Sequence, residues 1–246
     1  MAHTIADLAA ALGVAAVGDT SFSIARIAEP AEAGPADMAM AMSAKYVEGL
    51  AKGQAQAAFL WAEADWQALG LRAALLPQRP RFAMAALTAM LDAGQGFGSG
   101  VHASAVIDPS AQIGSDVTIG PLAVISAGAR IGDGAVIGPQ CFIGCDAVLG
   151  PQAFLREQVS IGARVRIGAR FIAQPGARIG GDGFSFVTPE KSGVEAARAS
   201  LGDQGDAPPQ AWARIHSLGA VTIGADVEIG ANATVDNGTV RDTRVG

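Results

Sequence analysis

From Ile107 onward the chain sets an aliphatic residue at every sixth position: Ile107, Ile113, Ile119, Ile125, Ile131, Ile137, Ile143, Leu149, Leu155, Ile161, Ile167 and Ile179, with Ala173 the one break. The residue two places earlier is small or β-branched (Ala105, Val117, Ala123, Cys141, Val159 among them), with Phe171 the bulky exception, and the residue after is usually glycine. A period of six matches neither the 3.6 of a helix nor the 2 of a long strand. It matches a parallel β-helix in which each hexapeptide is one short strand and one corner. The aliphatic residue and its small partner then point inward by strand alternation, and glycine is expected where the backbone turns. Three such faces close a coil of about 18 residues, with coils roughly 4.8 Å apart.

Composition narrows the function classes. Half of the 246 residues are apolar, yet no stretch reaches the roughly 20 residues of a membrane span, so a cytoplasmic location is expected. Met1 to Gly13 lacks the basic-then-apolar order of a signal peptide. A net charge of −6 with no basic aromatic stripe argues against nucleic acid. The two cysteines, Cys141 and Cys145, are too few for a disulfide scaffold, and Cys141 occupies an inward hexad position, which predicts burial. No cofactor or metal is implied.

Two boundaries interrupt the pattern. Gly94-Gln-Gly-Phe-Gly-Ser-Gly100 reads as a flexible joint ending a first domain at residue 93; its glycine spacing resembles a nucleotide loop, but it opens a solenoid rather than a helix after a strand. At Gly181 the hexad fails and polar, Gly/Pro-rich sequence runs to about residue 214, after which Ile223, Ile229 and Val235 resume it. The segment must leave the prism and return, and long loops in compact folds are usually functional. The non-repetitive first domain reads as small α/β. Thr4 caps a helix carrying Ile5, Leu8 and Leu12 that Gly13 closes; a second helix begins near Ser43; Ala55–Trp61 and Leu71–Leu76 are buried strands; Pro80 opens a helix through Leu91 ended by Gly94. Tyr46, the only tyrosine, suits either half-buried packing or a ligand platform.

Glu32-Ala-Gly-Pro35 followed by Lys45-Tyr46, then the hexads, then Ile179-Gly-Gly-Asp-Gly-Phe184, then Val221-Thr-Ile-Gly-Ala-Asp-Val-Glu-Ile-Gly-Ala-Asn-Ala-Thr-Val-Asp236, resembles the UDP-3-O-acylglucosamine N-acyltransferases over essentially the whole chain. The hexad is shared by many acyltransferases; the Gly-Gly-Asp-Gly-Phe and Val-Glu-Ile-Gly-Ala-Asn segments are the sharper signals. The resemblance implies a mainly β fold, a left-handed parallel β-helix preceded by a small α/β uridine-binding domain. It implies transfer of a 3-hydroxyacyl group from acyl carrier protein to the 2-amino group of UDP-3-O-acylglucosamine, a step of lipid A synthesis, by a homotrimer with active sites between neighbouring prisms. On that pattern Tyr46 stacks on uracil, Met40 and Ser43 stand where the family often has an aromatic and an Asn, and Asp182 and Phe184 of the loop contact substrate. Ser185, and Asn237 in place of the usual Arg, depart from it.

N-acylation needs a base for the amine proton and a donor for the oxyanion. The chain offers three histidines. His3 is expected in a floppy terminus and His102 as a cap at the first coil; His216 lies where the loop rejoins the prism and is the one in-chain candidate. In the family the catalytic His follows the Thr-Val-Asp segment in a later coil, which here falls beyond Gly246. Ending at Thr243-Arg-Val-Gly246 without a capping element, the chain reads as truncated, because an uncovered coil exposes strand edges and core. Alternatives are another nucleotide-sugar acyltransferase, such as the UDP-N-acetylglucosamine O-acyltransferase, which would not be expected to carry the Lys45-Tyr46 module, and a non-catalytic solenoid. A γ-type carbonic anhydrase, which needs three His ligands, fails because Ala103 to Ile215 holds no histidine.

Overall fold

The computed structural model describes residues 3–202 and 209–246. The chain divides into two compact units, Met1–Gln95 and Gly96–Gly246.

In the second unit each hexad folds into a two-residue strand and a turn. The first residue of the strand faces out and the second faces in, as at Val124–Ile125 and Arg130–Ile131. The strands stack into three parallel sheets, one per face. On the first face Ile107, Ile125, Ile143, Ile161, Ile179 and Val235 lie in register. On the second, Ile113, Ile131, Leu149, Ile167, Ile223 and Val245 do. The third is built on Ile119, Ile137, Leu155, Ala173 and Ile229. Like therefore rests on like, one coil above another, and the inward aliphatics with their small partners form one continuous core. Each fully buried aliphatic contributes about 1.5–3 kcal/mol of transfer free energy, so a single coil supplies several such terms. The two breaks in the pattern compensate. Phe171 and Ala173, both fully buried, sit in one hexad, so the large residue takes the small site, the small one takes the large, and local volume is kept.

The glycines do not act as the hexad alone suggests. Within the regular coils those following the aliphatic residue have ordinary φ, Gly180 at the start of the excursion being the exception; left-handed φ falls two residues later, mostly on non-glycine residues such as Asp116, Leu122, Gln140 and Asp146. The glycine is required by stacking instead. A Cβ on Gly150 would lie 2.5 Å from the Gly168 carbonyl carbon, and one on Gly132 2.5 Å from the Pro151 nitrogen, so only hydrogen fits between coils. Cys141 is buried as expected. Its thiol donates to the Arg156 carbonyl at 2.9 Å, and burial pushes its pKa up to about 11, so it is an inert core residue.

The second half of the Gly-rich stretch packs on the coil it precedes. Phe97 stacks on Phe154 of the third face at 6.1 Å between centroids, and the Ile119 N–H donates to the Gly100 carbonyl at 2.9 Å.

The first unit is a five-stranded sheet in the order Ala15–Gly18, Ala73–Leu76, Ala57–Phe59, Asp37–Met40, Arg26–Ala28, parallel except for the first pair. Strand alternation sends Met38, Met40, Ala57, Phe59, Ala73 and Leu75 into a core with helices α1 (Ile5–Leu12) and α3 (Pro80–Leu91). Ala39, Ala41, Ala58 and Leu60 go to a second core on the other face. Helix α1 is capped as its sequence requires: Thr4 and Asp7 form a reciprocal capping box and Gly13 is left-handed at φ 62. The segment near Ser43 is a 3-10 turn, Ala44–Tyr46, running into the single-turn α2 (Val47–Leu50). His3 is not in a loose terminus; it pairs with Ile24 in a two-stranded ribbon. Among the described residues no helix is long and apolar enough to cross a membrane.

Candidate functional site

In the first unit the chain leaves the buried strand Asp37–Met40, crosses half-buried Met42 and Ser43, and lifts Tyr46 to the surface on the 3-10 turn. Ser43 occupies the N-cap position but its side chain makes no capping bond, which leaves the hydroxyl available. Tyr46 is 36% exposed, and the Lys45 ammonium lies 4.7 Å over its ring. Ser43 and Tyr46 therefore share one surface turn. Met40 does not join them: alternation turns it with Met38 toward α1 and α3, making it a packing residue behind the turn rather than a ligand contact. Asp37, one strand position from this core, is held by the Gly34 N–H at 2.9 Å and by the Arg26 guanidinium at 3.0 and 3.1 Å. Those bonds, the Gly34 amide first, hold its pKa below the usual carboxylate value and anchor the Glu32–Pro35 turn. An apolar groove of about 500 Å³ lined by Leu12, Val14, Pro77, Arg79 and Phe82 contains none of the predicted site residues.

In the second unit the excursion starts at a bulge. Ile179 pairs with Val235 and Gly181 with Asp236, leaving Gly180 as the extra residue at φ +85, a conformation that favours glycine and re-aims the strand outward. The segment is not a structureless loop. Phe186–Val187 and Ala213–Arg214 form an antiparallel hairpin, and α4 (Gly193–Ser200) carries its own capping box from Ser192 and Glu195. The chain rejoins the stack at Leu218 and Gly219, which bond to Thr239 and Gly238, slightly later than the polar composition suggests.

At the root of this hairpin Asp182 pairs with Arg214 at 3.2 Å, and the Arg214 guanidinium lies 5.3 Å over Phe186. Phe186 also meets Phe184 at 4.9 Å and, edge-on, Trp212 at 6.4 Å. Phe184 itself is 95% exposed. Asp236 lies against Gly181 and Gly183, with Asn237 beside it; the Asn237 side-chain amide donates to the Gly180 carbonyl at 3.0 Å, while its oxygen is buried without a partner. Asp182 and Phe184 are thus brought together with Arg214, Phe186 and Trp212, which the hexad reading missed. Their signal was the short alternation of aromatic and small residues at Phe184–Phe186 and Ala211–Ala213.

The histidines separate. His102 caps the first turn, its Nδ1 2.9 Å from the Ser104 hydroxyl and accepting the Ser104 N–H at 3.2 Å. His3 is in the first unit's ribbon, and His216 is exposed just before the chain re-enters the stack. Among the described residues no group of three or more His, Cys, Asp or Glu could hold a metal ion.

Residues 110–145 match the model of the family described as bacterial transferase hexapeptide (six repeats). The UDP-3-O-acylglucosamine N-acyltransferase of Ruegeria pomeroyi is 66% identical over 246 residues, all of this chain and 68% of that protein. The protein of the same name from Paracoccus denitrificans is 55% identical over 246 residues, covering 67% of its length. That from Pseudomonas paraeruginosa is 41% identical over 247 residues, covering 64%. The chain thus spans about two thirds of the length of these relatives. Identity of this order along the whole chain, on a six-residue stack interrupted by the Gly-Gly-Asp-Gly-Phe excursion, makes this chain a member of the UDP-3-O-acylglucosamine N-acyltransferase family.

Proposed function

We propose that the protein transfers a 3-hydroxyacyl group from acyl carrier protein to the 2-amino group of UDP-3-O-acylglucosamine in lipid A biosynthesis. The observation that carries this reading is the 66% identity to the Ruegeria pomeroyi protein over every residue of the chain. In this reading the coil is left-handed, three copies assemble side by side in the cytoplasm, and the sites lie between neighbouring prisms. The first unit holds the nucleotide, with Tyr46 as the platform for uracil and the Ser43 hydroxyl as a polar partner at its edge. In the second unit the hairpin root carries further substrate contacts. Asp182, oriented by Arg214, accepts hydrogen bonds from sugar hydroxyls, and the open ring of Phe184 covers apolar substrate.

The chemistry needs the amine to attack the acyl carbonyl, lose its proton to a base and have the oxyanion held by an N–H. In this reading that base stands on a coil after Thr234–Asp236 rather than at exposed His216. The test begins with calorimetric titration of the 246-residue chain with UDP-3-O-acylglucosamine, comparing Tyr46→Ala. Losing an aromatic platform costs about 1–3 kcal/mol, a weakening of roughly tenfold or more. Transfer is then assayed with 3-hydroxyacyl carrier protein on protein extended to its relatives' length, where His216→Ala should leave turnover unchanged. Absence of binding, or acylation of a sugar hydroxyl instead of the amine, would overturn the reading.

A further inference from the structure

The face of Tyr46 is already occupied. The Lys45 ammonium sits over the ring, 4.7 Å from its centroid, and takes up part of the surface of a residue that is 36% exposed. Lys45 is exposed and, among the described residues, takes no part in an ion pair, so the ring is its partner. A planar base and an ammonium compete for the same electron-rich surface, because both are attracted to the ring's negative face. Whatever stacks there must first displace the cation.

We infer that Lys45 is the specificity-determining residue of this turn: the arriving base displaces its ammonium from Tyr46, and the ammonium then pairs with the diphosphate, so the site selects a nucleoside diphosphate over the free nucleoside. This rests on Tyr46 being the base platform. The exchange is balanced only for a charged ligand. Uridine removes the cation from the ring and returns nothing, whereas UDP offers phosphate oxygens one ribose away, within the sweep of a side chain with four methylene groups. A lysine is suited to this because its charge is compact, its stem is flexible and its three donors take any phosphate orientation. Lys45 and Tyr46 are adjacent at the end of a single short turn and Lys45 is exposed, so swinging the stem requires no change in the fold.

The experiment compares uridine, UMP, UDP and UDP-N-acetylglucosamine on the 246-residue chain, on Lys45→Met, Lys45→Arg and Tyr46→Ala, by calorimetry at low and moderate salt. Lys45→Met keeps the apolar stem and removes the charge. For the wild type, UDP should bind at least ~10-fold tighter than uridine, the size expected of one charge-assisted phosphate contact. In Lys45→Met that ratio should fall to within about threefold, through weaker UDP binding, with uridine unchanged or slightly tighter because nothing now competes for the ring. Lys45→Arg should restore most of the preference. Added salt should reduce the ratio in the wild type and not in Lys45→Met. A ratio unchanged in Lys45→Met, while Tyr46→Ala weakens every ligand, would overturn the role of Lys45 and leave the platform standing. Uridine binding unchanged in Tyr46→Ala would remove the platform itself, and the inference with it.

Discussion

In the prism Ile125 rests on Ile143 and Ile143 on Ile161, each a fixed step along the chain from the next; in the α/β unit Met38 lies beside Ala57, and Ala57 beside Ala73, at irregular separations. Both regions close a dry core, but the prism repeats one solution and the α/β unit uses each contact once. A fault in the prism therefore meets the same tight environment at every coil. A fault in the α/β unit is tolerated or not according to what lies beside it. The glycines show the contrast: Gly150 has backbone where its Cβ would go, while Gly13 has open space and is needed for its φ of 62.

The most damaging test of the repeated core is Ile137→Asp. It places an unpaired carboxylate among aliphatic neighbours at a fully buried position, at a cost of several kcal/mol. The expected outcome is insoluble protein or a melting temperature many degrees lower, and an unchanged melt would contradict the inward assignment. Gly150→Ala against Gly13→Ala separates the two uses of glycine. The first should lose about 1–3 kcal/mol or more, since two backbones must move apart, and the second about 1–2 kcal/mol from left-handed strain alone. Denaturant midpoints measure both, and equal losses would erase the distinction.

Acid should act on the α/β unit through Asp37, the one buried carboxylate among the described residues. Asp37 is 6% exposed, and its folded pKa lies below the ordinary 3.8 because of the Gly34 amide and then Arg26. With the folded value depressed, its contribution is complete above the unfolded pKa and lost as pH falls through the folded one. The melting temperature should therefore drop below about pH 4, the ordinary carboxylate range. Asp37→Asn should be less stable at pH 7 and should flatten that acid limb; an identical limb in the variant would remove Asp37 from the account. The smallest effect is expected at Leu122, which holds φ 58 on a corner while 58% exposed. Leu122→Asn should gain about 0.5–1 kcal/mol, because Asn tolerates the left-handed region that a leucine does not. A loss would mean that the leucine's corner contact outweighs its strain.

Much of this was legible because its causes are local. Thr4, Asp7 and Gly13 mark α1 by chemistry within one turn at each end, and Pro80 opens α3 in the same way. The hexad named the inward residues, and the excursion was marked by the pattern's failure after Ile179. Other features escaped notice because their partners are distant or their cause is three-dimensional. The strands Ala15–Gly18 and Arg26–Ala28 are short and only partly buried, so alternation hardly registers in them. Helix α4 hides in a polar stretch because none of its described residues is buried. Met40 looked like a site residue by its place in the Lys45-Tyr46 neighbourhood, and alternation along a buried strand assigns it to the core. Of the substrate-binding candidates, Ser43 and Tyr46 share a turn and Asp182 and Phe184 share the hairpin root.

The sequence by itself determined the three-faced coil, its aliphatic interior and the points where the chain departs from it, because periodicity is written in the spacing of residue types and a single register satisfies it. Only the tertiary structure decided why the glycines are glycine, which aromatic side chains gather around Arg214, what holds Asp37 and what covers Tyr46. Those depend on which backbone or charge lies a few ångströms away across a gap in the chain, and spacing along the chain carries no record of that distance.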